Sequence, residues 1–356
     1  MILNIKIIYE EVFMKRLAKS ISKLFLIVCM LFVFGAFLSN AYGNEELTIY
    51  SGRTERLIIP VLDAFKAKTG VGYRLLSSSS TDLLTKLSAE KERTVADCFI
   101  ATDAATLERA RQLNLLMPIK SDQISQYVPQ IYRAEDNTWV GLSMRTRVIV
   151  YNTNKFKAKE IQSVFDLAQP KWKDRIAVTS SSNESFQGGI SIYIHEKGNS
   201  FVEQFLKGLK NNAGNHVYAK HSQVVEAVAK GDVDAGLINH YYFYRYIVSS
   251  PDAPVSIIYP DQDSSDIGAA VNLSGIGISR YTKHETAAIK LVEFLSSQEG
   301  QKFFAELNME YPVNSKVSVH QSVRKRNTFK TANVHLKQLD VLRNPTIDAI
   351  EKVGLK

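Results

Sequence analysis

Apolar positions along this chain switch repeatedly between strand-like runs and helix-like spacing. Leu47-Thr48-Ile49-Tyr50 reads as a short strand and Ser51-Gly52-Arg53-Thr54-Glu55 as a turn. Arg56 to Thr69 follows as a helix with Leu57, Val61, Leu62 and Phe65 on one face. Thr81-Asp82 is expected to cap a helix through Leu83, Leu84 and Leu87. Val95 to Ala101 reads as a strand and Ala104 to Leu113 as a helix. The alternation resumes at Arg175-Ile176-Ala177-Val178, a strand leading into the polar loop 179–185, after which a helix starts near Phe186. A helix runs to Lys230, Gly231-Asp232 turns, and a strand from Ala235 to Asn239 delivers Tyr241 and Tyr242 at its carboxyl end, where open α/β sheets gather ligands. Helices are also expected over Glu285 to Leu295, Gly300 to Leu307, and through the tail from Leu336 to Val353.

Alternating β and α elements imply a mostly parallel sheet covered by helices. Two segments break that rhythm. Trp139 to Tyr151 is extended and long enough to cross from one lobe to another, and Ala269 to Leu273 is a second crossing before a strand at Gly275-Ile276-Gly277-Ile278. A chain with two crossings and two βα series is expected to be a two-lobed α/β protein. The lobes divide as 44–145 with 273–320, and 146–272, with 321–356 as a helical segment packed on them.

The first residues change the picture of where the chain works. Met14-Lys15-Arg16 with Lys19 and Lys23 forms a basic start, Leu24 to Leu38 an apolar run, and Ala41-Tyr42-Gly43 a small-x-small cleavage site. Residues 1–43 therefore read as a secretory signal peptide with its true start at Met14. The apolar run is shorter than the ~20 residues that span a bilayer as a helix. Cys29 sits inside it with Val28 before it, a poor context for lipidation. Cleavage removes five of 44 Lys and Arg and two of 36 Asp and Glu, leaving 39 against 34 and a formal charge of +5. Arg324-Lys325-Arg326 is the only block of like charge, so nucleic acid is not an expected partner. Cys98 alone remains, in an apolar stretch that suits a buried thiol rather than a disulfide.

Candidate chemistry centres on Asn239-His240-Tyr241-Tyr242. Adjacent phenols suit a hard trivalent cation, because a bound cation can displace protons that phenols otherwise keep up to a pKa near ~10. Oxygen donors favour iron(III), whereas zinc and copper sites draw on His and Cys. The same aromatic run also suits packing. Hydrolase signatures such as Gly-x-Ser-x-Gly and His-Glu-x-x-His are absent from the sequence, as is a nucleotide-binding Gly-x-x-x-x-Gly-Lys, so an enzyme is not expected.

Several segments in order resemble the periplasmic ferric-iron binding proteins of ABC importers, type II periplasmic binding proteins related in fold to transferrin lobes. They are Ile49-Tyr50-Ser51-Gly52-Arg53, Ala96-Asp97-Cys98-Phe99, Trp139-Val140-Gly141 with Arg145-Thr146-Arg147, Pro170-Lys171-Trp172-Lys173, Ser185-Phe186-Gln187 and Asn239-His240-Tyr241-Tyr242. The resemblance implies a monomer with a mixed sheet flanked by helices in each lobe and two crossover strands at the hinge. It implies capture of Fe3+ between the lobes with a synergistic anion, carbonate or phosphate, and delivery to an inner-membrane permease and its ATPase subunit. Tyr241 and Tyr242 match the family's most constant ligands. Asn183, Ser185 and Asn239 fall where relatives hold the anion, and Arg53, Arg145 and Arg147 are candidates for its counter-charge. His221 falls near another polar anion contact.

Departures from the family matter too. Thr54 stands where many relatives have a histidine ligand, Glu55 where some have a tyrosine, and the loop Asn183-Glu184-Ser185-Phe186 lacks a third tyrosine. Where some relatives supply a glutamate, the aligned stretch is Ala101-Thr102-Asp103. Glu55 and Asp103 thus stand as further iron ligands, although Asp103 equally suits the cap of the helix at Ala104. With few protein donors, the site is expected to depend on an anion. The alternative is a receptor of the same fold for an organic anion or phosphonate, without metal.

Overall fold

Leu47 and Ile49, both fully buried, fix the first strand, β1 (Glu46–Ser51), inside the sheet. The structure is a computed structural model and describes residues 45–355. The signal peptide 1–43, the start at Met14 and Cys29 lie outside the described residues. Helix α1 (Glu55–Thr69) buries Leu57, Ile58, Val61, Leu62 and Phe65 and ends at Gly70, whose φ of 75° closes the last turn. Strand β2 (Gly72–Ser77) and helix α2 (Ser80–Glu90) follow. The cap of α2 is Ser79, whose hydroxyl accepts from the Asp82 amide at 3.0 Å, two residues earlier than expected from sequence.

Strand β3 (Cys98–Ala101) is buried throughout and leads through Asp103 into α3 (Ala104–Gln112), then β4 (Leu116–Met117) and α4 (Asp122–Tyr127). The expected crossing appears as one long strand, β5 (Trp139–Asn152). After β6 (Ile176–Thr179) come α5 (Glu184–Lys197) and α6 (Asn199–Ala213), then β7 (Val217–Tyr218) and α7 (His221–Lys230). Strand β8 (Ala235–Asn239), helix α8 (His240–Ser249) and β9 (Val255–Ile258) complete that series. Helix α6 and strand β9 add to the elements expected from sequence. The second crossing and the strand after it form a single strand, β10 (Val271–Ser279), followed by α9 (Glu285–Ser296), α10 (Gln298–Lys302) and β11 (Tyr311–Pro312).

The sheet runs β2-β1-β3-β10-β5-β8-β6-β7 and is mixed, as the resemblance implied, and it is less parallel than the rhythm of elements alone suggested. Parallel pairing holds within each βα series, β1 with β2 and β3, and β6 with β7 and β8. The joins are antiparallel, because β5 and β10 each cross as a single strand instead of returning through a helix. Strand β5 changes partner along its length. Residues up to Thr146 pair with β10, and from Arg147 onward with β8 and β9.

The tail forms a short turn at Leu336–Gln338 and a separate helix α11 (Arg343–Val353) in place of one continuous helix. Pro345 explains the late start, since proline is tolerated in a first turn but breaks a helix interior. Helix α11 is tied to α5 by the Ser191–Thr346 hydroxyl pair at 2.8 Å, and to α6 by Lys210 Nζ, which donates to the Val353 carbonyl at 2.9 Å.

Candidate functional site

Every residue of β8 is buried, so its carboxyl end is held firmly as the chain turns at Asn239 into α8. Tyr241 and Tyr242 therefore sit in the first turn of a helix, not at the end of a loop. Their rings lie 4.4 Å apart between centroids, inclined at 31°. Burial, then the neighbouring Tyr241, holds the Tyr242 phenol well above its usual pKa. Without a cation the Tyr242 phenol thus keeps its proton, which a metal must displace. The helix N-terminus carries partial positive charge and favours the phenolates once formed.

Asn239 caps no backbone group with its side chain. It works sideways: Oδ1 accepts from Arg147 Nη1 at 3.2 Å, and Nδ2 donates to Ser185 Oγ at 3.1 Å. Arg147 also meets His221 Nε2 at 3.3 Å, and its guanidinium pKa is lowered to about 10, chiefly by burial. His221 is itself buried and stays neutral, its pKa pushed well down by burial and then by Arg147. Arg147 and His221 thus brace the segment from beneath.

A cavity of about 320 Å³ gathers Tyr241, Tyr242, Arg53, Arg145, Asn183 and Ser185. The two arginines differ. Arg53 is committed to a buried network, with Nη2 on Glu310 Oε2 at 2.7 Å and Nη1 on the hydroxyls of Ser274 at 2.6 Å and Ser143 at 3.2 Å. Arg145, on β5, is 5% exposed, and its Nη2 makes no hydrogen bond. A buried guanidinium nitrogen without a partner is costly, and an oxyanion in the cavity would satisfy it.

Other expected residues have local duties. Asn183 caps α5, its Oδ1 accepting from the amides of Ser185 at 3.1 Å and Phe186 at 3.2 Å. Asn239 supports the cavity through Ser185 without lining it. Glu55 is exposed in the first turn of α1 and is not in the lining. Asp103 also lies outside the lining and caps α3, accepting from the Thr106 amide at 2.9 Å and its hydroxyl at 2.8 Å. Asp103→Ala is therefore expected to cost about 1 kcal/mol in denaturant unfolding, as lost caps do, and to leave ligand affinity unchanged.

Two cavity carboxylates were not singled out from sequence. Glu310 has no local signal, because its partner Arg53 lies 257 positions away. Glu184 stood in the polar loop, but its contacts with Ser80, Thr81 and Thr102 come from distant segments.

Residues 93–334 match the family model described as bacterial extracellular solute-binding protein. The chain belongs to this family. This solute-binding protein is 31% identical over 319 residues to iron uptake protein A1 of Synechocystis sp., covering 88% of each chain. It is 32% identical over 274 residues to the major ferric iron-binding protein of Neisseria meningitidis serogroup B, covering 76% of this chain and 82% of that one. Among solved structures it superposes on iron-bound HitA from Pseudomonas aeruginosa with a TM-score of 0.81 at 26% identity, covering 87% of this chain and all (100%) of that one. A Trichodesmium protein in complex with iron and citrate matches with a TM-score of 0.74 at 33% identity, covering 87% of this chain and 100% of that one. The fold is that of the type II periplasmic binding proteins.

Proposed function

We propose that this chain binds ferric iron in the cavity through the phenolates of Tyr241 and Tyr242, with a synergistic anion held by Arg145. It then delivers the iron from the periplasm to an ABC permease with its ATPase subunit. The observation that carries this reading is one cavity holding a close, tilted tyrosine pair and the buried Arg145 guanidinium with an unpartnered nitrogen. Relatives named for iron uptake and for ferric iron binding support the choice of metal. Lobes of 44–145 with 273–320, and 146–272, would then hinge at β5 and β10, with the cavity between them and 321–356 packed against both.

Charge counting supports an anion. Arg53 and Glu310 cancel each other, leaving Arg145 and Glu184 as the remaining ionised side chains of the lining. Glu184 is taken up by hydrogen bonds from Ser80, Thr81 and Thr102, so two phenolates offset only two of a trivalent cation's charges, Arg145 adds another positive charge, and an oxyanion on Arg145 supplies the balance. With Glu55 and Asp103 outside the lining, oxygen atoms from that anion or from water complete the coordination.

Loading with iron(III) in the presence of carbonate or phosphate tests the reading directly. A visible phenolate-to-iron band is expected, and a colourless protein under those conditions would argue decisively against it. Arg145→Met should keep the band but weaken binding by about 10–100-fold, the range typical of groups that support a metal's ligands, and should erase the dependence on added anion in isothermal titration. Thermal stabilisation by phosphate or a phosphonate without iron would instead favour the metal-free anion receptor.

A further inference from the structure

Glu184 opens helix α5, yet its carboxylate serves another helix. Oε1 accepts from the Thr81 amide of α2 at 3.0 Å, and Oε2 accepts from Ser80 Oγ at 2.9 Å and from Thr102 Oγ1 at 2.5 Å. Ser80 Oγ in turn accepts from the Thr102 amide at 3.0 Å. A carboxylate here meets one of the unsatisfied amides of the first turn of α2 and the positive end of that helix. The fit is close on the other side as well. A Cβ at Gly52 would collide with Ser80 Oγ, so glycine lets the turn after β1 lie against this cluster.

We infer that Glu184 is an interlobe latch that fastens the wall of the cavity carried by α5 to the wall carried by α2 and β3. Gly52, Thr102 and Glu184 all line the cavity, so the latch lies at the site itself. Every donor and acceptor in it belongs to this chain, so the fastening needs no metal. Charged hydrogen bonds contribute more than neutral ones, and one carboxylate receiving three donors sets the equilibrium between joined and parted lobes. Glu184 thereby acts as a positioning residue, holding the side of the cavity with Tyr241 and Tyr242 to the turn after β1 and the segments at Ser79 and Thr102. The latch rests on the lobe division proposed above but not on the identity of the cargo.

Iron-free full-length protein, with Glu184→Ala and the isosteric Glu184→Gln, provides the test. Amide hydrogen exchange at Thr81 is expected to quicken by about tenfold or more in Glu184→Ala, in keeping with the loss of one charged hydrogen bond. Small-angle scattering should show a larger radius of gyration for both variants than for the wild type. Adding iron(III) with phosphate should bring both back to the wild-type value. If the Thr81 amide exchanges equally fast in all three proteins, or if the variants lose thermal stability with no change in radius, Glu184 is a local cap and the inference is overturned. Failure of iron to restore the radius, with the first two results intact, would count against the ferric reading and leave the latch standing.

Discussion

Tyr241→Phe and Tyr242→Phe are each expected to abolish or strongly bleach the charge-transfer band and to weaken iron binding by more than about 100-fold. That figure is a lower bound, because loss of a mere supporting partner of a metal ligand already costs 10–100-fold. Phenylalanine keeps the ring contact between the two side chains and removes only the oxygen, so the fold should survive. Circular dichroism and unfolding checks would establish that. Because the Tyr242 phenol is held well above its usual pKa, binding must release protons, and affinity must rise with pH. Below neutrality protons compete with iron for both oxygens, so the wild type should lose iron as pH falls. The single variants have one phenol fewer to deprotonate and should show a shallower pH slope. Unchanged colour and slope in both variants would remove the tyrosines from the site.

Glu310→Ala is expected to cost about 3–5 kcal/mol of stability, the range seen when one partner of a buried ion pair is removed. Arg53 and Glu310 are 3% and 2% exposed at their side chains, and the alanine variant leaves the guanidinium buried with only two serine hydroxyls. Replacing both members, as Arg53→Met with Glu310→Leu, should recover most of the loss, since burying apolar groups of similar size avoids the desolvation of charge. Denaturant unfolding of the wild type and these two variants checks both statements. A loss below about 1 kcal/mol in Glu310→Ala would place the pair among exposed ion pairs, which contribute that little. The Arg53 network also explains why Arg145, and not Arg53, is the arginine proposed to hold an anion.

Local elements were legible in the sequence because their causes are local. The spacing of Leu57, Val61, Leu62 and Phe65 set helix α1, and the apolar run from Ala235 set β8, since each depends on residues within a few positions. Asp103 could be read as a cap for the same reason. The tyrosine pair was visible as a composition signal, and the resemblance gave it a role. Parallel pairing was overestimated because the rhythm of elements does not reveal that β5 and β10 return as single strands.

What the chain alone determined, then, is the set of elements, the tyrosine pair at the end of β8, and the residue types available for chemistry. Tertiary structure decided how those residues are used. It paired Arg53 with Glu310 and left Arg145 outside any ion pair with Nη2 unpartnered, so two arginines that the sequence offered for the same anion stand in different surroundings. It also kept Glu55 and Asp103 out of the cavity lining and brought Glu184 across to Thr81. The physical reason is one of range: helix and strand formation answer to near neighbours, whereas the partner of a buried charge is chosen by chain segments that meet only when the molecule folds.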